Sequence, residues 1–155
     1  SFIKKISASK PKIGDYPFTT ISPNLATIKI ENKEITFADI PGIIENAHKG
    51  KGLGINFLGH VERCTILLHL IDVTNNNLIK DYKIIRKELE KYKNEVNKKK
   101  EIICLTKCDL LNEIDLNIKI KELKKKLKKE IYYCSNFNGK GIKKILIKAK
   151  RLNDK

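Results

Sequence analysis

Glu101-Ile102-Ile103-Cys104-Leu105-Thr106-Lys107-Cys108-Asp109 carries an unbroken apolar run into a polar, charged loop. Such a run suits a strand buried on both faces, the kind found in parallel sheets. A similar run, Thr65 to Asp72, precedes it. Between the two, Leu78, Tyr82, Ile85, Leu89 and Tyr92 recur at helical spacing, which predicts a helix over about Leu78 to Lys98. Beyond Asp109 the pattern predicts a helix from Ile118 to Lys129, a strand from Ile131 to Ser135 and a last helix from Gly141 to about Arg151. Strands alternating with helices in this way build an α/β fold, a doubly wound and mostly parallel sheet whose ligands sit at the carboxyl ends of the strands. Asp39, Thr106, Lys107 and Ser135 all fall at such ends.

The first third of the chain is less regular. Phe2, Ile3 and Ile6 suit a short helix over Phe2 to Ser9, and Pro11, Gly14, Pro17 and Pro23 mark Lys10 to Asn24 as a loop. Leu25 to Ile30 and Ile35 to Asp39 read as a hairpin joined by Glu31-Asn32-Lys33-Glu34. Gly42 to Gly54 reads as a second loop and Ile55 to Arg63 as a short helix. No repeat or long linker divides the 155 residues, so a single domain is expected.

Composition narrows the class. Apolar residues make up 41% and charged residues 33%, as in globular proteins, and no apolar run approaches the roughly eighteen residues of a membrane span. Cys64, Cys104, Cys108 and Cys134 form no Cys-x-x-Cys pair, so reduced thiols are expected rather than a zinc site. The net charge of +15 is uneven: Ser1 to Ile79 holds 9 basic and 7 acidic residues, and Lys80 to Lys155 holds 24 and 11. Two readings fit that asymmetry, contact with a polyanion such as ribosomal RNA and a plain bias toward lysine.

Two short motifs carry chemistry. Asp39-Ile40-Pro41-Gly42 at a strand end offers an acid that reaches magnesium through water and a backbone N–H that senses a terminal phosphate. Thr106-Lys107-Cys108-Asp109 offers a carboxylate that accepts from N1 and N2 of guanine, which selects against adenine, while the lysine stem lies along the ring. Ser135-Asn136-Phe137, after the strand that starts at Ile131, stands where a backbone N–H would meet the guanine O6. Together these suggest a guanine-nucleotide site. No Gly-x-x-x-x-Gly-Lys-Ser/Thr phosphate loop occurs in the 155 residues, and Gly50-Lys51-Gly52-Leu53-Gly54 lacks the spacing of a dinucleotide fingerprint.

Lys10 to Thr20, Pro23-Asn24-Leu25, Ala38 to Gly54 and Phe57 to Arg63 resemble the two switch regions of the Obg family of GTPases. The resemblance runs more loosely through Thr106 to Asp109 and Ser135-Asn136 to the final helix. It implies a Ras-like P-loop GTPase sheet missing its first strand and phosphate loop, with residues 1–155 a truncated GTP-binding domain. It further implies GTP and GDP as ligands with Mg²⁺, slow hydrolysis, and a role in large ribosomal subunit assembly through ribosomal RNA. A monomer in the cytoplasm or an organelle stroma is expected. The alternative is a non-enzymatic, basic RNA-binding remnant of such a domain.

By the same resemblance Thr20 and Asp39 would serve magnesium. Phe18, Thr19, Thr20, Ile21 and Ser22, with Asp39, Ile40, Pro41 and Gly42, would meet the phosphates, and Thr106, Lys107, Cys108, Asp109, Ser135, Asn136 and Phe137 the base. Ile43 stands where Ras-like enzymes carry a water-positioning glutamine, which is why hydrolysis is expected to be slow. Neither His48 nor His60 inherits a catalytic role, and Asn46 replaces a glycine usual in the second switch.

Overall fold

The computed structural model describes residues 1–7, 25–39, 64–90 and 98–154. They fall into two compact units, Ser1–Thr65 with Ile84–Lys99, and Ile66–Lys83 with Lys100–Lys155. The expected elements at 10–24, 42–54 and 55–63 lie outside the described residues.

In the first unit, α1 (Phe2–Ile6) is capped by Ser7, whose N–H bonds Ile3 O at 2.9 Å; residues 8–9 of the longer predicted helix lie outside the described residues. Strands β1 (Leu25–Ile30) and β2 (Lys33–Ala38) pair antiparallel with Ile30 opposite Lys33. The turn is therefore two residues, not four. Glu31 (φ 45°) and Asn32 (φ 67°) both take left-handed backbone, the geometry that matches the twist of a tight hairpin. Phe2, Ile3, Leu25 and Ala26 are buried, and the Phe2 and Phe37 rings meet at 6.2 Å between centroids.

The second unit is the α/β sheet. Strands β3 (Ile66–Asp72), β4 (Lys100–Thr106) and β5 (Ile131–Tyr133) are parallel in the order β3-β4-β5. Asp72 lies opposite Thr106, and Leu105 opposite Tyr133, so the three carboxyl ends are level. Helix α2 (Leu78–Glu90), which belongs to this unit up to Lys83, starts on Asn77, whose Oδ1 accepts from Lys80 N at 2.9 Å; residues 91–97 of the longer predicted helix lie outside the described residues. Helix α3 (Glu113–Leu127) begins five residues before the predicted Ile118, because Asn112 caps it by accepting from Asp115 N at 2.8 Å. Helix α4 (Ile142–Asn153) follows β5.

Alternation along β4 sends Ile103 and Leu105 to one face, where they cluster with Ile71, Leu78, Tyr82, Leu116 and Leu123. Ile102 and Cys104 take the other face, and α4, burying Ile142, Ile145 and Ala149, packs on all three strands. Helices thus cover both faces, as expected. Each fully buried Ile or Leu contributes roughly 1.5–3 kcal/mol, so this sheet is the stable frame on which the strand-end loops hang.

At the amino end of β4, Glu101 collects polar partners. Its Oε2 accepts from Tyr82 OH at 2.9 Å and Lys129 Nζ at 2.8 Å, and its Oε1 lies 3.2 Å from His69 Nδ1. His69 and Tyr82 stack with ring centroids 5.1 Å apart. Burial alone would raise the Glu101 carboxyl, but the hydrogen bonds from His69, Lys129 and Tyr82 outweigh it and hold its pKa at about 2.

Candidate nucleotide site

The level carboxyl ends of β3, β4 and β5 support the loops that carry the base motif. Thr106 Oγ1 donates to Ile71 O at 3.3 Å and Val73 N donates to Thr106 O at 3.1 Å, which fastens the end of β4 to that of β3. Lys107 then turns into left-handed backbone at φ 60° and ψ 32°. For a residue with a Cβ that conformation costs of order 1–3 kcal/mol and recurs at ligand-binding sites. Cys108 opens a 3₁₀ turn, Cys108–Leu110; its side chain is buried and its N–H bonds Cys134 O at 3.2 Å. Anchoring Cys108 inward leaves Lys107 and Asp109 on either side exposed.

Lys107 Nζ pairs with Asp72 Oδ2 at 2.5 Å. Asp72 Oδ1 also accepts from Thr74 N at 3.0 Å and Thr74 Oγ1 at 2.7 Å. Burial would raise this carboxyl, yet the Lys107 ammonium and the two Thr74 donors prevail and keep it below the usual carboxylate range. Sequence reading passed over Asp72 as a strand residue. The available signal was local, an Asp-x-Thr step at the end of a strand, where an acid bonds its own backbone two residues on.

β5 ends two residues before its predicted limit, although Cys134 N still bonds Leu105 O at 2.8 Å. Ser135 is fully buried, and its Oγ accepts from Phe137 N at 3.1 Å and Asn138 N at 3.2 Å. The serine hydroxyl therefore folds Asn136, Phe137 and Asn138 into a turn beside the Cys108–Leu110 turn, to which Cys134 O is bonded. Phe137 is exposed, and Asn136 Oδ1 is buried with no hydrogen-bond partner among the described residues. Gly141 (φ 80°) closes the loop against the sheet; a Cβ there would overlap the carbonyl oxygen of Tyr133.

The cysteines are free thiols. Cys104 Sγ donates to Cys134 Sγ at 3.5 Å, and that bond together with burial pushes the Cys104 thiol up. Among the described residues no group of three His, Cys, Asp or Glu side chains is placed to hold a metal ion. Of the expected magnesium and phosphate residues, Asp39 directly follows β2 and is half-buried. Phe18, Thr19, Thr20, Ile21, Ser22, Ile40, Pro41, Gly42 and Ile43 lie outside the described residues, as do Asn46, His48 and His60.

The arrangement in the second unit suits a flat, hydrogen-bonding ring. It joins an exposed acceptor at Asp109, a lysine stem beside it, and a backbone turn held by Ser135. Asp109 accepts and does not donate when ionised, so it matches a face with two N–H groups.

The profile of the 50S ribosome-binding GTPase family matches residues 1–107. The chain is 47% identical over 146 residues to GTPase Obg of Rickettsia felis and 49% identical to that of Rickettsia prowazekii, covering 94% of this chain and 44% of each relative. It thus spans 44% of the length of the curated relatives it matches. Among solved structures, it resembles Era in complex with MgGDPNP and nucleotides 1506–1542 of 16S ribosomal RNA, with a TM-score of 0.69, 21% identity, and coverage of 98% of this chain and 51% of that one. It also resembles the apo cytosolic domain of the T. maritima FeoB iron transporter, with a TM-score of 0.67, 17% identity, and coverage of 99% and 58%. These likenesses show the fold, an α/β sheet of the P-loop GTPase type. The chain belongs to the 50S ribosome-binding GTPase family, and the Obg-named relatives bear out the resemblance read in its switch sequences.

Proposed function

We propose, with membership of that family as the premise, that residues 1–155 form part of one Obg-type GTP-binding domain. The protein binds GTP and GDP with Mg²⁺ and hydrolyses GTP slowly. One observation carries the base-reading half of this proposal: Lys107 is held in a left-handed turn between a buried Cys108 and the end of β4, with Asp109 exposed next to the Ser135 turn. In this reading Asp109 accepts from guanine N1 and N2, the Lys107 stem packs on the ring, and the backbone at Ser135, Asn136 and Phe137 meets O6. Thr106 and Cys108 set the loop, the first by tying β4 to β3 and the second by filling the core.

Thr20 and Asp39 would hold the magnesium, which neutralises phosphate charge when bound. Phe18, Thr19, Ile21, Ser22, Ile40, Pro41 and Gly42 would surround the phosphates. Ile43 cannot orient a water by hydrogen bonding, which supports slow intrinsic turnover. Catalysis in this scheme is positional and electrostatic.

The test is competition binding with the full reading frame that encodes this chain. Labelled GDP should be displaced by GTP far more readily than by ATP, and Asp109→Asn should weaken GDP at least tenfold while improving xanthosine diphosphate, whose ring offers the complementary pattern. Equal displacement by ATP and GTP overturns the assignment.

We also propose ribosomal RNA of the large subunit as a partner, with the protein a monomer working in the cytoplasm or an organelle stroma during subunit assembly. Support comes from the basic second half and from the exposed Lys143, Lys144 and Arg151 along α4. No described helix is long and apolar enough to cross a membrane. A non-enzymatic RNA-binding remnant is the second reading, favoured by the same basic helix. Under either, RNA affinity should fall steeply with salt as lysines release phosphate counterions; binding that ignores salt, or none at low salt, leaves composition as the source of the charge.

A further inference from the structure

Helix α3 presents an outer face that no other described element covers. Leu110 just ahead of it is 61% exposed, Ile114 is 73% exposed and Ile118 is 58% exposed. These are three of the four large apolar side chains exposed among the described residues, and their four-residue spacing sets Ile114 and Ile118 one above the other. The buried side of α3 is made instead by Leu116 and Leu123, with Ile120 and Leu127 packed partly against the core. Continuing along the outer face at helical spacing come Lys121 and Lys125, both exposed and with no ion pair among the described residues. By contrast Lys126 bonds Glu122 at 3.1 Å, and Lys119 donates to Asn75 O at 3.1 Å. The face is therefore apolar at the start of α3 and positively charged toward its end.

We infer that this face is a docking surface for a protein segment that is apolar on one side and carries Asp or Glu at one end. Charge selects the acidic end, since Lys121 and Lys125 have no counter-charge of their own. Exposed Asp115 at the start of the helix sets its direction, because it repels a carboxylate there, whereas Glu113 is already paired with Lys140 at 3.4 Å. A nucleic acid fits less well. Isoleucine methyls offer no π face for stacking bases, and the face holds neither an aromatic ring nor an arginine. Helix α4 makes the contrast: its exposed positions include Lys143, Lys144 and Arg151 and no large exposed apolar residue. The surface begins at Leu110, the last residue of the turn that carries Asp109, so an occupant there sits next to the base-reading loop.

A fluorescent helical peptide with leucines four apart followed by glutamates, titrated by anisotropy, tests this directly. It should bind with micromolar affinity. Ile114→Glu with Ile118→Glu should weaken binding more than tenfold, and Lys121→Glu with Lys125→Glu about fivefold. The second pair should recover affinity for a peptide whose glutamates are changed to lysine, a rescue that mere loss of structure cannot produce. Unchanged melting temperatures confirm that these surface variants fold. Failure of the peptide to bind overturns the proposal. So does binding indifferent to all four substitutions, or a single-stranded RNA oligonucleotide that binds the face and ignores the isoleucine changes.

Discussion

The two ends of the parallel sheet each hold a carboxylate paired with a lysine, Glu101 of β4 at the amino end and Asp72 of β3 at the carboxyl end, and they differ in what surrounds the pair. At the amino end, the Glu101 side chain is 4% exposed and is bonded by Lys129, Tyr82 and His69. At the carboxyl end, the Asp72 side chain is 27% exposed, and its lysine sits on a left-handed turn in solvent. The same ion pair thus does different things. A buried carboxylate that loses its partners is left as an uncompensated charge, whereas an exposed pair holds two flexible groups for a small Coulomb gain. The sheet is braced at its amino end and left loosely tied beside the Thr106–Asp109 loop, where the base is proposed to sit.

Removing the braced carboxylate should have the largest effect. Glu101→Gln is expected to cost about 2 kcal/mol in urea unfolding, since Tyr82 and His69 lose a charged acceptor whose side chain is 4% exposed, while Lys129, 46% exposed, recovers part of its hydration. The acid side of the stability profile should change with it. Because the folded pKa of Glu101 lies below its ordinary value of 4.5, at about 2, its contribution is complete above about pH 4.5 and is lost as pH falls toward 2. In Glu101→Gln that part of the acid limb should flatten. A loss under 1 kcal/mol, with an unaltered acid limb, would erase the distinction between the two ends.

The smallest effect belongs to the other pair. Asp72→Asn should change stability by no more than about 1 kcal/mol, and the change should shrink further in high salt, because the pair is exposed and screened. A cost equal to that of Glu101→Gln would show that the strand-end pair is structural after all.

How far the sequence could be read follows from the same contrast. Strands β3 and β4 were legible because burial on both faces leaves an apolar run, and the position of Thr106 to Asp109 followed from the end of that run. Helix α3 was read late because Ile114 and Ile118 face solvent, so apolar spacing marked the wrong start, while the cap at Asn112 is a polar signal that spacing does not register. The hairpin turn was read two residues too long because nothing in Glu31-Asn32-Lys33-Glu34 announces two consecutive left-handed residues in place of a glycine. Neither ion pair was foreseeable. Asp72 and Lys107, like Glu101 and Lys129, meet only through strand register and helix placement, which local sequence does not encode.

Lys107 has a resting partner, and that makes the reading loop a competitor for its own lysine. A ligand that needs this side chain along its ring encounters it free only in the fraction of molecules where the pair with Asp72 is open, and its apparent affinity is reduced by that fraction. Under the proposed function, ionic strength would act in opposite directions on one protein: salt that strips a polyanion from the lysines of α4 would also open the Asp72 pair and release Lys107 to its ligand.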